Sequence, residues 1–275
     1  MKRIILSLAL LSIIELAFSQ ENETNKFDFN RIEDNSFLLE EAYNQEDGVI
    51  QHISAFQYMK DKSWVYNFTE EWPAPRQRHQ LSVTVPIVFN EIETGFGDIA
   101  LNYRYQAVFT NRTAFSPRFS ILLPTGNYSN GNGYGVVGYQ LNLPLSFVLN
   151  RKLVSHFNLG ATYSPNVKGI TSPIESADFR PDIININYGA SVIVLVTPNF
   201  NFMLEAAGNT MNTLEGDYSE KSSSFFLNPG IRYAINCKSG LQIVPGLAVP
   251  VGIGPSTGEY GLFAYLSFEH QLWKP

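Results

Sequence analysis

One stretch of the sequence has the residue types and the spacing of a nucleophile and its base. His52 and Ser54 lie two residues apart. Residues two apart on a β-strand point to the same face, where an imidazole can deprotonate a hydroxyl that attacks an ester. Asn67 is a third residue that could orient the histidine. A triad is defined by geometry and not by spacing, so we predict that the chain is not an enzyme and has no catalytic residues.

The sequence indicates no bound metal, cofactor or nucleic acid. The other histidines, His79, His156 and His270, are isolated, so no cluster of metal ligands is formed. The single cysteine, Cys237, cannot make an intramolecular disulfide or a thiolate cluster. The net charge of the chain is −6 at pH 7, and no basic patch is present to attract phosphates. We therefore expect none of these three classes of partner.

Charged residues of the body of the chain fall at positions where they could line a pore. Six of them occupy polar positions of alternating segments: Asp98, Arg104, Arg118, Glu205, Arg232 and Glu269. Asp98 and Arg104 are six residues apart, so both should face the same side of a strand. One interpretation is a lining that selects solutes. The other is a set of ion pairs that fills the interior of a narrow barrel.

The first residues predict an exported protein with an acidic leader. Lys2 and Arg3 precede a mostly apolar stretch, and Ala17 and Ser19 have the spacing of a signal-peptidase site. We expect a signal peptide over 1–19. Residues 20–47 then carry nine acids and two bases without periodic apolar residues, whereas 48–275 is neutral. We expect 20–47 to be a periplasmic leader that is mobile or loosely docked.

The elements that position these residues show one pattern from residue 48 to the end of the chain. Apolar residues occupy every second position, as in 80–89 and 98–107, with polar residues between them. Such strict alternation predicts strands with one apolar and one polar face. The twelve segments with this pattern are 48–59, 64–71, 80–89, 98–107, 115–123, 139–147, 153–163, 184–192, 200–206, 225–235, 241–251 and 260–272.

The lengths of the segments and of their connections favour a membrane barrel over a soluble β-sandwich. Several segments have the ~9–11 residues that a tilted transmembrane strand needs. Short connections alternate with longer ones, predicted at 90–96, 124–133, 164–181, 208–222 and 252–259. Outer-membrane barrels show this alternation, and a sheet in lipid must close. We predict an all-β, closed antiparallel transmembrane β-barrel of about twelve strands over 48–275, in a bacterial outer membrane.

Several prolines fall inside the predicted strands, and each removes a hydrogen-bond donor from the sheet. They are Pro86, Pro117, Pro144, Pro229, Pro245 and Pro250. One hypothesis is an opening in the wall through which an apolar solute leaves sideways. The interpretation that we favour is that these prolines lie at strand ends near the membrane interfaces.

Two short motifs resemble a known family. Gly95-Phe96-Gly97-Asp98-Ile99, followed by Leu101 and Tyr103-Arg104-Tyr105, opens one strand, and Leu123-Pro124-Thr125-Gly126 closes the next. This pairing resembles the outer-membrane transporter family named for the meta-pathway of phenol degradation, which is related to fatty-acid-transporter barrels. The resemblance covers most of the body, best at about 80–150. It implies a barrel that passes hydrophobic or aromatic small molecules.

We therefore expect a passive transporter or channel for small hydrophobic or aromatic solutes. The expected partners are outer-membrane lipid, the barrel-assembly machinery and a small apolar solute. A non-transporting surface or structural barrel remains an alternative, in which loops 164–181 and 208–222 would carry the function. The third alternative is an outer-membrane lipid hydrolase that uses His52 and Ser54.

Overall fold

The computed structural model describes residues 36–90, 93–169 and 179–272. The predicted signal peptide and residues 20–35 of the predicted leader lie outside the described residues, as does 170–178 of the predicted loop 164–181. The segment Ile32–Pro275 forms one compact unit. In the described part of this unit, no helix is both long and apolar enough to cross a bilayer.

Eighteen strands, all in one sheet, make up the described part of the chain. They are β1 Val49–Met59, β2 Trp64–Pro73, β3 His79–Asn90, β4 Glu93–Phe96, β5 Ile99–Tyr105, β6 Val108–Phe109, β7 Thr113–Phe115, β8 Arg118–Leu123, β9 Gly138–Asn142, β10 Leu145–Asn150, β11 Leu153–Ser164, β12 Asp182–Thr197, β13 Phe200–Glu215, β14 Tyr218–Tyr233, β15 Ile235–Asn236, β16 Gln242–Ala248, β17 Val251–Gly252 and β18 Gly261–Gln271. Two short 3-10 helices, Tyr128–Asn130 and Gly254–Ser256, lie in connections.

These strands form a closed barrel of twelve spans. The strands outnumber the spans because five spans are broken into shorter strands. The broken spans are β4 to β6, β7 to β8, β9 to β10, β14 to β15 and β16 to β17. Strand β1 pairs with β18 from Val49 opposite Gln271 to Met59 opposite Gly261, and pairs with β2 on its other side. This pairing of the first and last strands closes the sheet. The predicted fold, an all-β antiparallel barrel of about twelve strands, is confirmed.

The two faces of the wall differ in the way that the alternation predicts. Polar residues such as Gln80, Asn102 and Arg104 point inward and are buried. Apolar side chains point outward, where Phe119 and Leu159 are 46% and 55% exposed. So many exposed apolar side chains around a closed wall are stable in lipid and not in water.

Two connections predicted as long loops are instead hairpins of extended strands. Strand β13 continues to Glu215 and β14 begins at Tyr218, so most of the predicted loop 208–222 is sheet. Strands β3 and β4 likewise occupy most of 90–96. The extension of β13 and β14 carries polar residues on both faces. For example, Thr210 and Ser223 lie opposite each other and form a hydrogen bond. The alternation of apolar residues therefore stops before these strands do, and the predicted strands were too short.

The prolines do not lie at strand ends near the interfaces, so that interpretation is wrong. Pro229 lies within β14, and Pro117 and Pro144 lie at breaks in the middle of their spans. The wall stays hydrogen-bonded beside the breaks, because Tyr105 N donates to Pro117 O at 3.0 Å and Ser116 N donates to Pro144 O at 3.2 Å. The carbonyl groups thus continue the pairing where the proline nitrogens cannot, and the wall is continuous at these sites.

Candidate functional site

Residues 36–47 lie inside the barrel, and we call them the lumen segment. Their backbone N–H groups donate hydrogen bonds to inward-facing side chains on β3, β10 and β13, which belong to different sides of the wall. The ring of Phe37 contacts β18 as well. A chain that touches the inner faces of opposite walls must occupy the lumen. This part of the predicted leader is thus firmly docked, where the sequence predicted a mobile or loosely docked leader.

The carboxylate of Glu205 on β13 holds the first residues of the lumen segment. Glu205 Oε1 accepts from the backbone N–H groups of Phe37 at 3.1 Å and Leu39 at 3.3 Å, and both carboxylate oxygens lie 3.2 Å from Leu38 N. Asn228 Nδ2 donates to Oε2 at 2.8 Å. Glu205 is fully buried. Four donors converge on this one buried side chain, so this cluster is one anchor of the segment.

The ring of Phe37 fills an apolar recess next to that carboxylate. Its centroid lies 5.5 Å from the ring of Phe263 and 5.9 Å from the ring of Tyr265. Gly230 and Gly246 form the rest of the recess, and a Cβ at either position would overlap the Phe37 ring. Glycine is thus required at both positions for the ring to dock so close to the wall.

A second anchor joins Glu40 of the lumen segment to Arg118 on β8. Arg118 Nε donates to Glu40 Oε2 at 2.8 Å and Oε1 at 3.0 Å, and Arg118 Nη2 also contacts Glu40. Nη2 also donates to Gln140 Oε1 at 2.9 Å, and Nη1 donates to Asn102 Oδ1 at 3.0 Å. Burial by itself would raise the pKa of Glu40, but Arg118, helped by Arg104, outweighs it and holds that pKa below its ordinary value of 4.5.

Acidification is expected to weaken the docking of the lumen segment. Because the pKa of Glu40 is lowered, its ionised form stabilises the docked state above pH 4.5, and this contribution disappears as the pH falls through the lowered pKa. The conductance of the barrel in a planar bilayer should therefore rise as the pH falls below 4.5.

The control for this pH dependence is Glu40→Gln, which should remove the part of the response that depends on Glu40. The groups that face Glu40 from the wall are Arg118, Arg104, Asn142 and Glu71. Glu205 faces the segment elsewhere, so any response that remains in Glu40→Gln belongs to other carboxyl groups. An identical response in the wild type and in Glu40→Gln would contradict the assignment.

Arg104 on β5 binds the middle of the lumen segment through backbone carbonyl groups. Its Nη1 donates to Glu41 O at 3.1 Å and its Nη2 to Tyr43 O at 2.9 Å, while Nε donates to Asn44 Oδ1 at 3.0 Å. Arg104 Nη2 also lies 3.7 Å from Glu71 Oε2. A planar guanidinium group can bind three acceptors at once, so Arg104 fixes the path of the lumen segment.

Ala42 is held against three neighbouring spans of the wall by small polar side chains. Its N–H donates to Ser146 Oγ at 2.8 Å, and its carbonyl oxygen accepts from Gln106 Nε2 and Ser116 Oγ, both at 2.7 Å. The side chain of Ala42 is fully buried. All these contacts are hydrogen bonds to side chains of the wall, so the segment can leave without breaking any strand pairing.

The six predicted lining residues fall into three groups, of which Asp98 alone forms the third. Arg104, Arg118 and Glu205 hold the lumen segment, and Arg232 and Glu269 occupy inward-facing positions on β14 and β18. The ion pairs of Arg104 and Arg118 join them to Glu71 and Glu40, which the sequence did not single out. Glu40 had no distinguishing signal among the acids of the leader. Glu71 had one, since it lies at an alternating position of a predicted strand.

Asp98 lies at the other end of the barrel, in the break between β4 and β5. Its carboxylate accepts from the N–H groups of Gly126 and Tyr134, both at 2.9 Å, and so anchors the connection between β8 and β9. Thr125 Oγ1 donates to Gly97 O at 2.9 Å. The two short motifs that carry the family resemblance are therefore in contact, and they position this loop at the barrel mouth.

The structure does not bring His52, Ser54 and Asn67 together. His52 and Ser54 lie on the outward face of β1, whereas Asn67 occupies an inward-facing position on β2. His52 Nδ1 lies 3.6 Å from Glu70 Oε2, and Ser54 Oγ lies 3.0 Å from Tyr66 Oη. Each residue thus has a different partner. Within the described ranges, no group of three or more residues could hold a metal ion.

The closed wall, the apolar exterior and the polar interior define this protein as an outer-membrane β-barrel. The chain belongs to the family named for the MetA-pathway of phenol degradation, whose model matches residues 49–244. This membership confirms the family resemblance that the sequence motifs indicated. No curated protein matches the chain.

Two solved structures share the fold. An outer-membrane channel from Pseudomonas putida F1 is similar with a TM-score of 0.61 and 10% identity, over 83% of this chain and 97% of the channel. The NanC porin is similar with a TM-score of 0.51 and 10% identity, over 80% of this chain and all of the porin (100%). The fold is therefore that of bacterial outer-membrane channels and porins.

Proposed function

We propose that this protein is a passive channel for small hydrophobic or aromatic solutes across the bacterial outer membrane. The observation that carries the proposal is the lumen segment. A barrel of twelve spans is wider than the ~8-stranded barrels that side chains alone can fill. Here a separate stretch of chain occupies the interior, held by hydrogen bonds and ion pairs and by no strand pairing. Its release would leave a continuous pore.

The composition of the lumen supports solutes with an apolar part. One side of the interior carries Phe263 and Tyr265 together with Val244 and Ala248, all buried. The opposite side carries Arg104, Arg118 and their polar neighbours. We propose that these charged residues, with Glu205, Arg232 and Glu269, select solutes once the segment has left. Asp98 contributes to selection indirectly, through the loop at the barrel mouth.

The proposed partners follow from the two surfaces of the wall. Outer-membrane lipid covers the exposed apolar face, and a small apolar solute enters the lumen. The barrel-assembly machinery recognises the last strand, β18, which carries aromatic residues toward the end of the chain. A heat-dependent shift in gel mobility of the membrane fraction tests correct assembly, because a closed barrel stays compact in detergent until it is boiled.

A reversible crosslink of the lumen segment tests the channel function. Ser146 Oγ lies 2.8 Å from the backbone nitrogen of Ala42, so Ala42→Cys with Ser146→Cys is the pair chosen for a disulfide, and mass spectrometry checks that the bond forms before transport is measured. The native Cys237 is replaced by serine in all chains. Uptake of a radiolabelled aromatic solute that vesicles without protein exclude should stop on oxidation, falling to the level of those empty vesicles, and return on reduction.

The matched control is the chain with Ala42→Cys alone, which should transport equally under oxidising and reducing conditions. The filled lumen also favours the alternative of a structural barrel that transports nothing. In that case wild-type and control vesicles would take up no more solute than empty ones in either state. Uptake that continues through the oxidised double variant would show that the solute does not pass through the lumen.

A further inference from the structure

We propose that the recess now filled by Phe37 is a ligand subsite for aromatic compounds that carry an amine two carbons from the ring. The proposal rests on the proposed channel function, because the ligand must enter the lumen and displace the first residues of the lumen segment. It adds a position and a ligand chemistry to the general class of small aromatic solutes.

The apolar half of the subsite is shaped for one aromatic ring. Phe263 and Tyr265 stand at 5.5 and 5.9 Å from the Phe37 ring, in tilted and edge-on arrangements. Such geometry is favourable for aromatic pairs beyond the burial of their area. Gly230 and Gly246 leave space for the ring that a Cβ would remove. The recess is thus complementary to a flat six-membered ring.

The polar half of the subsite contains buried hydrogen-bond acceptors that require donors. Glu205 is fully buried and accepts from the N–H groups of Phe37, Leu38 and Leu39. Asn228 beside it is also fully buried, and its Oδ1 accepts no hydrogen bond within the described residues. A ligand that displaces Phe37 must replace these donors, since an unpaired buried carboxylate is costly. An amine does so, whereas a carboxylate would meet a like charge.

The displaced residue itself indicates the ligand. In Phe37 the backbone nitrogen that donates to Glu205 is attached two carbons away from the ring that fills the recess. The ring, the two carbons and the nitrogen together are the skeleton of phenethylamine. The lumen segment therefore occupies the subsite with the same ring and donor that we assign to the ligand. Ligand binding and segment docking are thus mutually exclusive, so the ligand promotes opening.

Calorimetric titration of the full chain in detergent tests the subsite. Phe37→Ala empties the ring recess and removes the ring contacts that help to dock the first residues of the lumen segment. Phenethylamine should therefore displace their N–H groups from Glu205 more easily and bind this variant at least tenfold more tightly than the wild type. The matched probes are 3-phenylpropionate, which has the ring and the opposite charge, and propylamine, which has the amine and no ring. Both should bind Phe37→Ala at least tenfold more weakly than phenethylamine does.

Two further substitutions in the Phe37→Ala background separate the halves of the subsite. Glu205→Gln keeps the size of the side chain and removes its charge, and Gly246→Val fills the recess. Each should weaken phenethylamine binding at least tenfold. Equal binding of phenethylamine and 3-phenylpropionate, or binding that survives both substitutions, would overturn the proposal.

A measurement on the wild type covers the case in which the variants do not assemble, as judged by the absence of a heat-dependent gel shift. Phenethylamine should raise the conductance of wild-type barrels, and 3-phenylpropionate should not; no difference between them overturns the subsite. If the barrel conducts without this discrimination, the subsite fails and the channel function stands. If Phe37→Ala binds phenethylamine while no chain conducts, the channel function fails.

Discussion

A chain that lacks residues 20–47 and keeps residues 1–19 is expected to conduct ions roughly tenfold better than the full chain. The lumen segment contacts inward-facing side chains from β1 round to β18, so its removal empties the part of the pore that it crosses. The wall should remain intact, because its strands pair with one another and not with the segment. Single-channel recording in planar bilayers measures the change.

The matched control for this deletion is a chain that lacks only 20–35 and keeps the lumen segment. It should conduct like the full chain, and all three proteins should show the same heat-dependent gel shift. Equal conductance of the full chain and the chain without 20–47 would contradict the prediction. The loop that Asp98 anchors at the opposite end would then be the structure that limits flow.

Arg118→Met is expected to release the lumen segment at neutral pH. Methionine keeps much of the apolar length of arginine but leaves the Glu40 carboxylate without its cation. Breaking a fully buried ion pair costs about 3–5 kcal/mol. Because the side chain of Glu40 is 29% exposed, we expect a smaller cost of about 1–3 kcal/mol. The fraction of open channels should rise roughly five- to 150-fold.

The control for this substitution is the double variant Arg118→Met with Glu40→Gln. It removes both charges, so it should conduct less than Arg118→Met alone because no unpaired carboxylate remains in the lumen. This comparison measures the coupling between the two side chains. If Arg118→Met conducts like the wild type, the ion pair does not hold the segment, and Glu205 and Arg104 are then the anchors that matter.

Local alternation was sufficient to place most of the wall. Residues 80–89 and 98–107 were predicted as strands because an apolar face and a polar face follow directly from a two-residue repeat, and the structure has β3 and β5 there. The repeat failed for 208–222, where both faces are polar. It also could not locate the breaks at Pro117 and Pro144, since the carbonyl groups of these prolines still accept from N–H groups of the neighbouring spans.

The candidate site was only partly accessible from the sequence. Arg104, Arg118 and Glu205 could be assigned to one face of their strands, but their partners could not. Glu205 binds backbone N–H groups that are more than 160 residues away in the chain, with separations of 166 to 168. Such partners carry no side-chain signal. Asp98 was assigned to the pore lining, and its contacts with Gly126 and Tyr134 appear only when two neighbouring spans are aligned.

The sequence by itself determined the class of the protein, because strand alternation, strand length and the exclusion of open edges from lipid are properties of local segments. Only the tertiary structure decided what occupies the lumen. An acidic segment without periodicity is predicted to be mobile when it is considered alone. Inside the closed barrel, Arg118, Arg104 and Glu205 come from distant strands and supply its charge partner and its hydrogen bonds. The docking of the segment is therefore a property of the assembled wall.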